Sequence, residues 1–201
     1  MLGIEQKAKF SELQEIINED KNRLEELTKD MLDYEGCIIK GRQNDITDEP
    51  VDAIVNPANE YLSNGAGAAR AIQNGAGPEY RRECDLYIQE HDRLPTGEIL
   101  VTTGGSLPCD KVINVVGPQC EKNQEDITKE CKQLKSVLIK ILEAIIEYDF
   151  KSVCILAIST GLFNFPLKEC VKIYARTIRR FIDKNKEAMA GREIILCKCN
   201  L

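Results

Sequence analysis

The sequence contains no tryptophan and, among 201 residues, a single histidine, His91. One histidine cannot build a multi-histidine metal site, and a Ser-His-Asp arrangement would rest on His91 alone. No apolar run reaches the ~18 residues a membrane helix needs, and the N-terminus MLGIEQKAKF has no signal-peptide core. Basic residues are outnumbered, 27 Lys plus Arg against 33 Asp plus Glu, a net charge of −6. That balance argues against a broad basic clamp on phosphate backbones, so no sequence-specific nucleic-acid partner is expected, and the lack of a long apolar run gives no reason to expect a membrane. A composition 43% hydrophobic and 30% charged also excludes a disordered polymer or a collagen.

Framework spacing is missing from the cysteines. There are nine, an odd number scattered along the chain, which is unlike a secreted disulfide scaffold and points to a reducing compartment, cytoplasm or nucleus. Cys154 and Cys170 sit inside apolar patterns and read as small core side chains. Cys197-Lys198-Cys199 would put two thiols on one face of a strand, but with no second pair or nearby histidine no metal is expected.

What is present is periodicity. In residues 1–36 Phe10, Leu13, Ile16, Ile17, Leu24, Leu27 and Met31 form an apolar stripe at three- and four-residue steps, which predicts a helical N-terminal segment ended by Gly36. From residue 37 to 201 the period changes. Strand-like runs at 37–40, 53–55, 99–102, 111–116, 152–158 and 193–199 are separated by helical patterns at 68–74, 79–90, 127–148 and 167–183. Interleaved strands and helices predict one α/β domain with a largely parallel sheet.

Three segments follow strands, where α/β folds place their ligands. The first, Asn44-Asp45-Ile46-Thr47, offers a carboxylate that can accept from an exocyclic amine or serve as an ordinary turn cap. The second runs from Asn56-Pro57-Ala58-Asn59 to Gly65-Ala66-Gly67-Ala68-Ala69-Arg70, a small-residue loop opening an alanine-rich helix. Such a loop lets a ligand approach the backbone and offers helix N–H groups to an anion, although tight packing alone also selects small residues. It lacks the Gly-Lys-Ser/Thr of a P-loop and the spacing of a dinucleotide fingerprint. The third, Ser159-Thr160-Gly161-Leu162-Phe163, can form a nest of N–H groups. Phe163 can cover a sugar or base, whereas Phe165 beside Pro166 reads as a core lid.

The ordered set NDIT, VDAIVNPANEYL, NGAG with AGP, PTGEILVTTGGSLPCDKVINVVGP and ISTGLFNFPL, covering residues 37–199, resembles the macrodomain family. The look is that of macrodomains carried by PARP-family proteins. The resemblance implies a three-layer α/β/α fold with a mixed, largely parallel sheet, and ADP-ribose as ligand. It also implies that Asp45 accepts from the adenine amine, with the backbone of Ile46 in support. Asn59 would contact the distal ribose, and Gly65, Ala66, Gly67 and Ala68 would wrap that ribose and the diphosphate. Ser159, Thr160, Gly161, Leu162 and Phe163 would give N–H groups to the diphosphate, with the Phe163 ring near the distal ribose.

One departure bears on mechanism. The hydrolytic branch of the family has Val-Asp-Gly after its glycine loop; here Ala68-Ala69-Arg70 stands there, with Ala69 in the place of the catalytic Asp. Three function classes stay open. The leading one is a reader of free ADP-ribose or of mono- or poly-ADP-ribosylated protein. The second is a hydrolase of carboxylate-linked ADP-ribose, for which Asn59 would have to serve, and the third is a degenerate domain acting as a scaffold. Residues 1–36 hold 10 acidic and 5 basic groups, so residues 37–201 are nearly neutral at −1. A small dianion would there be held at short range by backbone N–H groups.

Overall fold

The computed structural model describes residues 31–198 apart from Asn64 and Asn123. The expected N-terminal helix over residues 1–30 lies outside the described residues, as does Cys199. Contacts divide the chain between Leu32 and Asp33, and the α/β fold belongs to Asp33–Leu201.

Seven strands form the sheet: β1 (Met31–Tyr34), β2 (Cys37–Gln43), β3 (Ala53–Pro57), β4 (Ile99–Thr103), β5 (Lys111–Val115), β6 (Ser152–Leu156) and β7 (Glu193–Lys198). Their order is β1-β2-β7-β6-β3-β5-β4. β2, β7, β6, β3 and β5 run parallel, and β4 closes the edge antiparallel to β5. The sheet is therefore largely parallel, as the alternating pattern predicts, and mixed, as the family resemblance implies. Within the segment 1–36 expected to be helical, Met31–Tyr34 is a strand instead. Glu35 and Gly36 both take positive φ, 52° and 80°, the signature of a two-residue hairpin turn, so the residues before them extend along β2 instead of coiling.

Both sheet faces are covered. Ala53, Val55, Ile113, Val115, Val153, Ile155 and Ile194 face a core built with α3 (Thr128–Glu147) and α4 (Leu167–Lys184). Their chain neighbours Ile54, Val112, Cys154 and Ile195 face the opposite core, built with α1 (Gly67–Ala76) and α2 (Pro78–His91). Alternation with two buried faces explains why these strands read as continuous apolar runs. Each fully buried Val or Ile contributes about 1.5–3 kcal/mol. A last single-turn helix, α5 (Lys186–Met189), leads into β7.

Near the carboxyl end of β3 a buried polar network ties the layers together. Asn56 and Asn114 lie opposite each other in β3 and β5, and Asn56 Nδ2 donates to Asn114 Oδ1 at 2.9 Å. The hydroxyl of Tyr80 on α2 donates to the same oxygen at 2.6 Å, and Asn114 Nδ2 reaches Thr102 Oγ1 on β4 at 3.0 Å. Buried amides need such partners, so this network fixes α2 against the strand end from which the second loop departs.

Candidate functional site

The chain passes from β3 to β5 on one side of the sheet, and later returns to β6 on the other side of β3. Connections leaving in opposite directions open a crevice at the carboxyl ends of the strands. A cleft of about 630 Å³ occupies that place. Its walls come from the ends of β3, β5, β6 and β7: Pro57, Gly117, Leu156 and Cys197 with Lys198.

Ten of the twelve site residues expected from the sequence line this cleft. Asn59, Gly65, Ala66, Gly67 and Ala68 form one wall, and Ser159, Thr160, Gly161, Leu162 and Phe163 form another. The first wall is the N-terminus of α1. Ala66 is its N-cap, extended at φ −153°, and no side chain caps the helix. The first-turn N–H groups, which no helix can satisfy internally, therefore meet the cleft. Gly67 enters the helix at φ +58°, a conformation that favours glycine. Ala69 also lines the cleft and is 9% exposed.

The second wall is a strained loop. Ser159 takes φ +65° while buried, and its Oγ has no partner among the described residues. Such a conformation costs on the order of 1–3 kcal/mol and persists only where the surroundings impose it. Those surroundings are visible: Ser159 O accepts from Phe165 N at 2.9 Å, Asn164 N donates to Gly161 O at 3.0 Å, and Phe163 O accepts from Cys120 N at 2.8 Å. Gly117 lies directly beneath, where a Cβ would come within 2.2 Å of Ser159 Oγ. With the carbonyls pinned, the N–H groups of Gly161, Leu162 and Phe163 donate to no protein group among the described residues. Phe165 is 2% exposed and serves as the expected core lid.

Asp45 and Ile46 stand outside the cleft walls. Ile46 is buried in the core on the α1 side, and Asp45 caps a short 3-10 turn, Ile46–Asp48. Asp45 Oδ1 accepts from Thr47 N at 3.0 Å and from Thr47 Oγ1 at 2.7 Å, which leaves Oδ2 without a partner among the described residues. The neighbouring Asn44 carbonyl accepts from the Cys197 thiol at 3.3 Å, so the turn abuts the β7 end of the cleft. Buried Glu49 anchors the turn from behind, bonded to Arg42 at 2.6 Å and to Asn44 Nδ2 at 2.9 Å. Behind Cys197, burial pushes the Cys154 thiol far above its ordinary range.

Asn59 has a local job: its Oδ1 accepts from Tyr61 N and Ser63 N, both at 3.1 Å, and its Nδ2 donates to Ser63 Oγ at 2.9 Å. The side chain thus shapes its own loop. Among the described lining residues the titratable groups are Cys197 and Lys198; neither carboxylate nor imidazole lines the cleft. His91 ends α2, exposed and stacked on Tyr87 at 4.4 Å. No cluster of three or more His, Cys, Asp or Glu able to hold a metal occurs among the described residues.

Sequence reasoning missed Gly117, Leu167, Cys197 and Lys198 as cleft residues. The signal for three of them was positional, since each follows or ends a parallel strand.

The Macro domain family model matches residues 55–174. A Thermotoga maritima protein is 40% identical over 83% of this chain, although the chain spans only 27% of that protein's length. Human protein mono-ADP-ribosyltransferase PARP14 is 32% identical over 80% of the chain, which spans 9% of it. An O-acetyl-ADP-ribose deacetylase of Escherichia fergusonii is 34% identical over 71% of this chain and 79% of its own. In structure, a macrodomain of Oceanobacillus iheyensis solved as a variant with ADPR superposes with TM-score 0.74 and 29% identity, covering 83% of this chain and 88% of that one. Sequence, topology and cleft agree, and the chain belongs to the macro domain family.

Proposed function

We propose that the chain is an ADP-ribose reader, a module that binds free ADP-ribose or the ADP-ribosyl group on a protein. The observation that carries this reading is the meeting of two sets of backbone N–H groups, the first turn of α1 and Gly161 to Phe163, in one cleft. Backbone dipoles at a helix N-terminus suit a diphosphate without any basic side chain. The remaining ligand parts follow from it. Adenine lies toward β7 and the Asp45 turn, where Asp45 Oδ2 accepts from the exocyclic amine. The distal ribose lies beside Gly65 and Phe163.

Binding without turnover is favoured by the cleft chemistry. Hydrolysis at the ribose C1″ needs a base to activate water. Ala69 offers none, and the Asn59 side chain is spent on its own loop. In a test, the protein is mixed with a protein mono-ADP-ribosylated on glutamate, and both capture and release of ADP-ribose are followed. Capture without release is expected. Catalytic release by the wild-type chain would replace the reader with a hydrolase, and the absence of capture would remove ADP-ribose as the ligand.

A further inference from the structure

Three exposed apolar side chains gather at one end of the cleft. Leu162 is 77% exposed and Leu167 59%, and both also line the cleft; Val171, 58% exposed, follows one turn along α4. Leucine and valine at a helix surface normally turn inward, and a group standing at the mouth of a cleft marks a contact surface. Beside them runs Lys168, Lys172, Arg176, Arg180 and Lys184, an i,i+4 row of exposed cations that advances about 6 Å per step. α4 holds six basic residues against two acidic ones, a net +4 in a chain of net −6.

At the cleft end of the row α4 itself sets one carboxylate, Glu169, among three cations, while Glu130 and Asp126 join Glu169 around Cys131 on the α3 side. Glu169 pairs with Lys172 at 2.6 Å, and Lys172, Lys168 and Arg176 together hold its carboxyl below the ordinary range. At the far end Arg180 and Lys184 share a groove with Lys135, Glu143 and Glu147 of α3, and Arg179 bonds Tyr34, whose hydroxyl donates to Asp183.

We propose that this end of α4, with Leu162, Leu167 and Val171 beside Lys168, Lys172 and Arg176, docks an acidic polypeptide segment of the ADP-ribosylated partner protein. The proposal rests on the ADP-ribose reading of the cleft. An acceptor protein is joined through the distal ribose, which that reading puts beside Phe163; the acceptor therefore leaves over Leu162 and onto α4. A polymer of further ADP-ribose units would match the cations but has no aliphatic groups for the three apolar side chains. A peptide bearing an apolar residue among carboxylates matches both.

Calorimetry decides the matter with five probes: free ADP-ribose, a Glu-rich peptide containing leucine and mono-ADP-ribosylated on one Glu, its counterpart with every Glu but the modified one replaced by Gln, the unmodified Glu-rich peptide, and a short ADP-ribose oligomer. The protein is wild type or the triple variant Lys168→Gln, Lys172→Gln, Arg176→Gln, none of which lines the cleft. The acidic peptide is expected to bind wild type about tenfold more tightly than free ADP-ribose, a difference of about 1.4 kcal/mol. The triple variant and high salt remove that gain and leave free ADP-ribose unchanged. Equal binding of acidic and Gln peptides overturns the proposal. So does a gain confined to the oligomer. If free ADP-ribose itself does not bind, the cleft reading fails instead, and the unmodified acidic peptide tests α4 alone: binding weakened in the triple variant supports docking, and no binding overturns it.

Discussion

Gly161 offers a perturbation that separates ligand binding from folding. A Cβ built there meets no protein atom within 4 Å, and its φ lies outside the left-handed region, so larger side chains fit the free protein. The residue nevertheless lines the cleft in the middle of the free N–H groups. Gly161→Ala adds one carbon and tests crowding; Gly161→Glu adds a negative charge as well. At an effective dielectric of about 20, two unit charges about 5 Å apart repel by about 3 kcal/mol. Loss of two charge-assisted hydrogen bonds would cost a similar ~3 kcal/mol. Taking about 3 kcal/mol as the net effect in an open cleft, ADP-ribose should bind Gly161→Glu roughly 150-fold more weakly. Thermal unfolding should move by only about 1–2 °C, as an exposed substitution changes stability by about 0.5 kcal/mol at most. Calorimetric titration and a melting curve on the same samples provide both readings. Unchanged affinity in Gly161→Glu would refute the assignment of this loop to the diphosphate, and a collapse of the melting temperature would refute the open space around Gly161.

Asp45→Asn keeps an amide oxygen able to cap Thr47 but removes the negative acceptor. Wild type should prefer ADP-ribose over its hypoxanthine counterpart, and the variant should lose most of that preference, by roughly fivefold in relative affinity (about 1 kcal/mol). Gly117→Ala drives a Cβ against Ser159 Oγ and Ile158 Cγ2, so stability should fall by about 1–3 kcal/mol by chemical denaturation, and ADP-ribose affinity should fall with it. Burial raises the thiols of Cys37, Cys84 and Cys109 to about 11 and that of Cys170 to about 12. Their contribution to stability is complete below pH 9, the unperturbed value, and is lost as pH rises through 11 to 12, which denaturation at alkaline pH will show. At about pH 8 a thiol reagent should leave the six cysteines buried away from the cleft among the described residues (Cys37, Cys84, Cys109, Cys120, Cys154 and Cys170) unmodified in the native protein and reach all nine in denaturant.

The fold was largely legible because both sheet faces are buried. Strands such as Ala53–Pro57 and Ser152–Leu156 become unbroken apolar runs, and the helices between them keep a 3.6-residue stripe. The short strand β1 was not legible. Met31 fits the three- and four-residue steps before it, and only the backbone of Glu35 and Gly36 shows the hairpin. For the site, small residues in both loops announced a close approach to backbone, and those residues do line one cleft. The anchors of the site were hidden, because they are long-range. Gly117 matters through Ser159, Cys197 through Asn44, and Glu49 through Arg42 and Asn44. Asn59 shows the opposite limit: its place in the cleft was readable, but its bonds to the backbone of its own loop were not.

In the proposed reading one cleft holds one ADP-ribose through backbone N–H groups. Calorimetric titration of the wild-type protein with ADP-ribose decides whether it does. A saturable isotherm with one site per chain is predicted, largely preserved at high salt because Lys198 is the one basic side chain among the described residues that line the cleft. No heat of binding at millimolar ADP-ribose, or binding abolished by moderate salt, would contradict it.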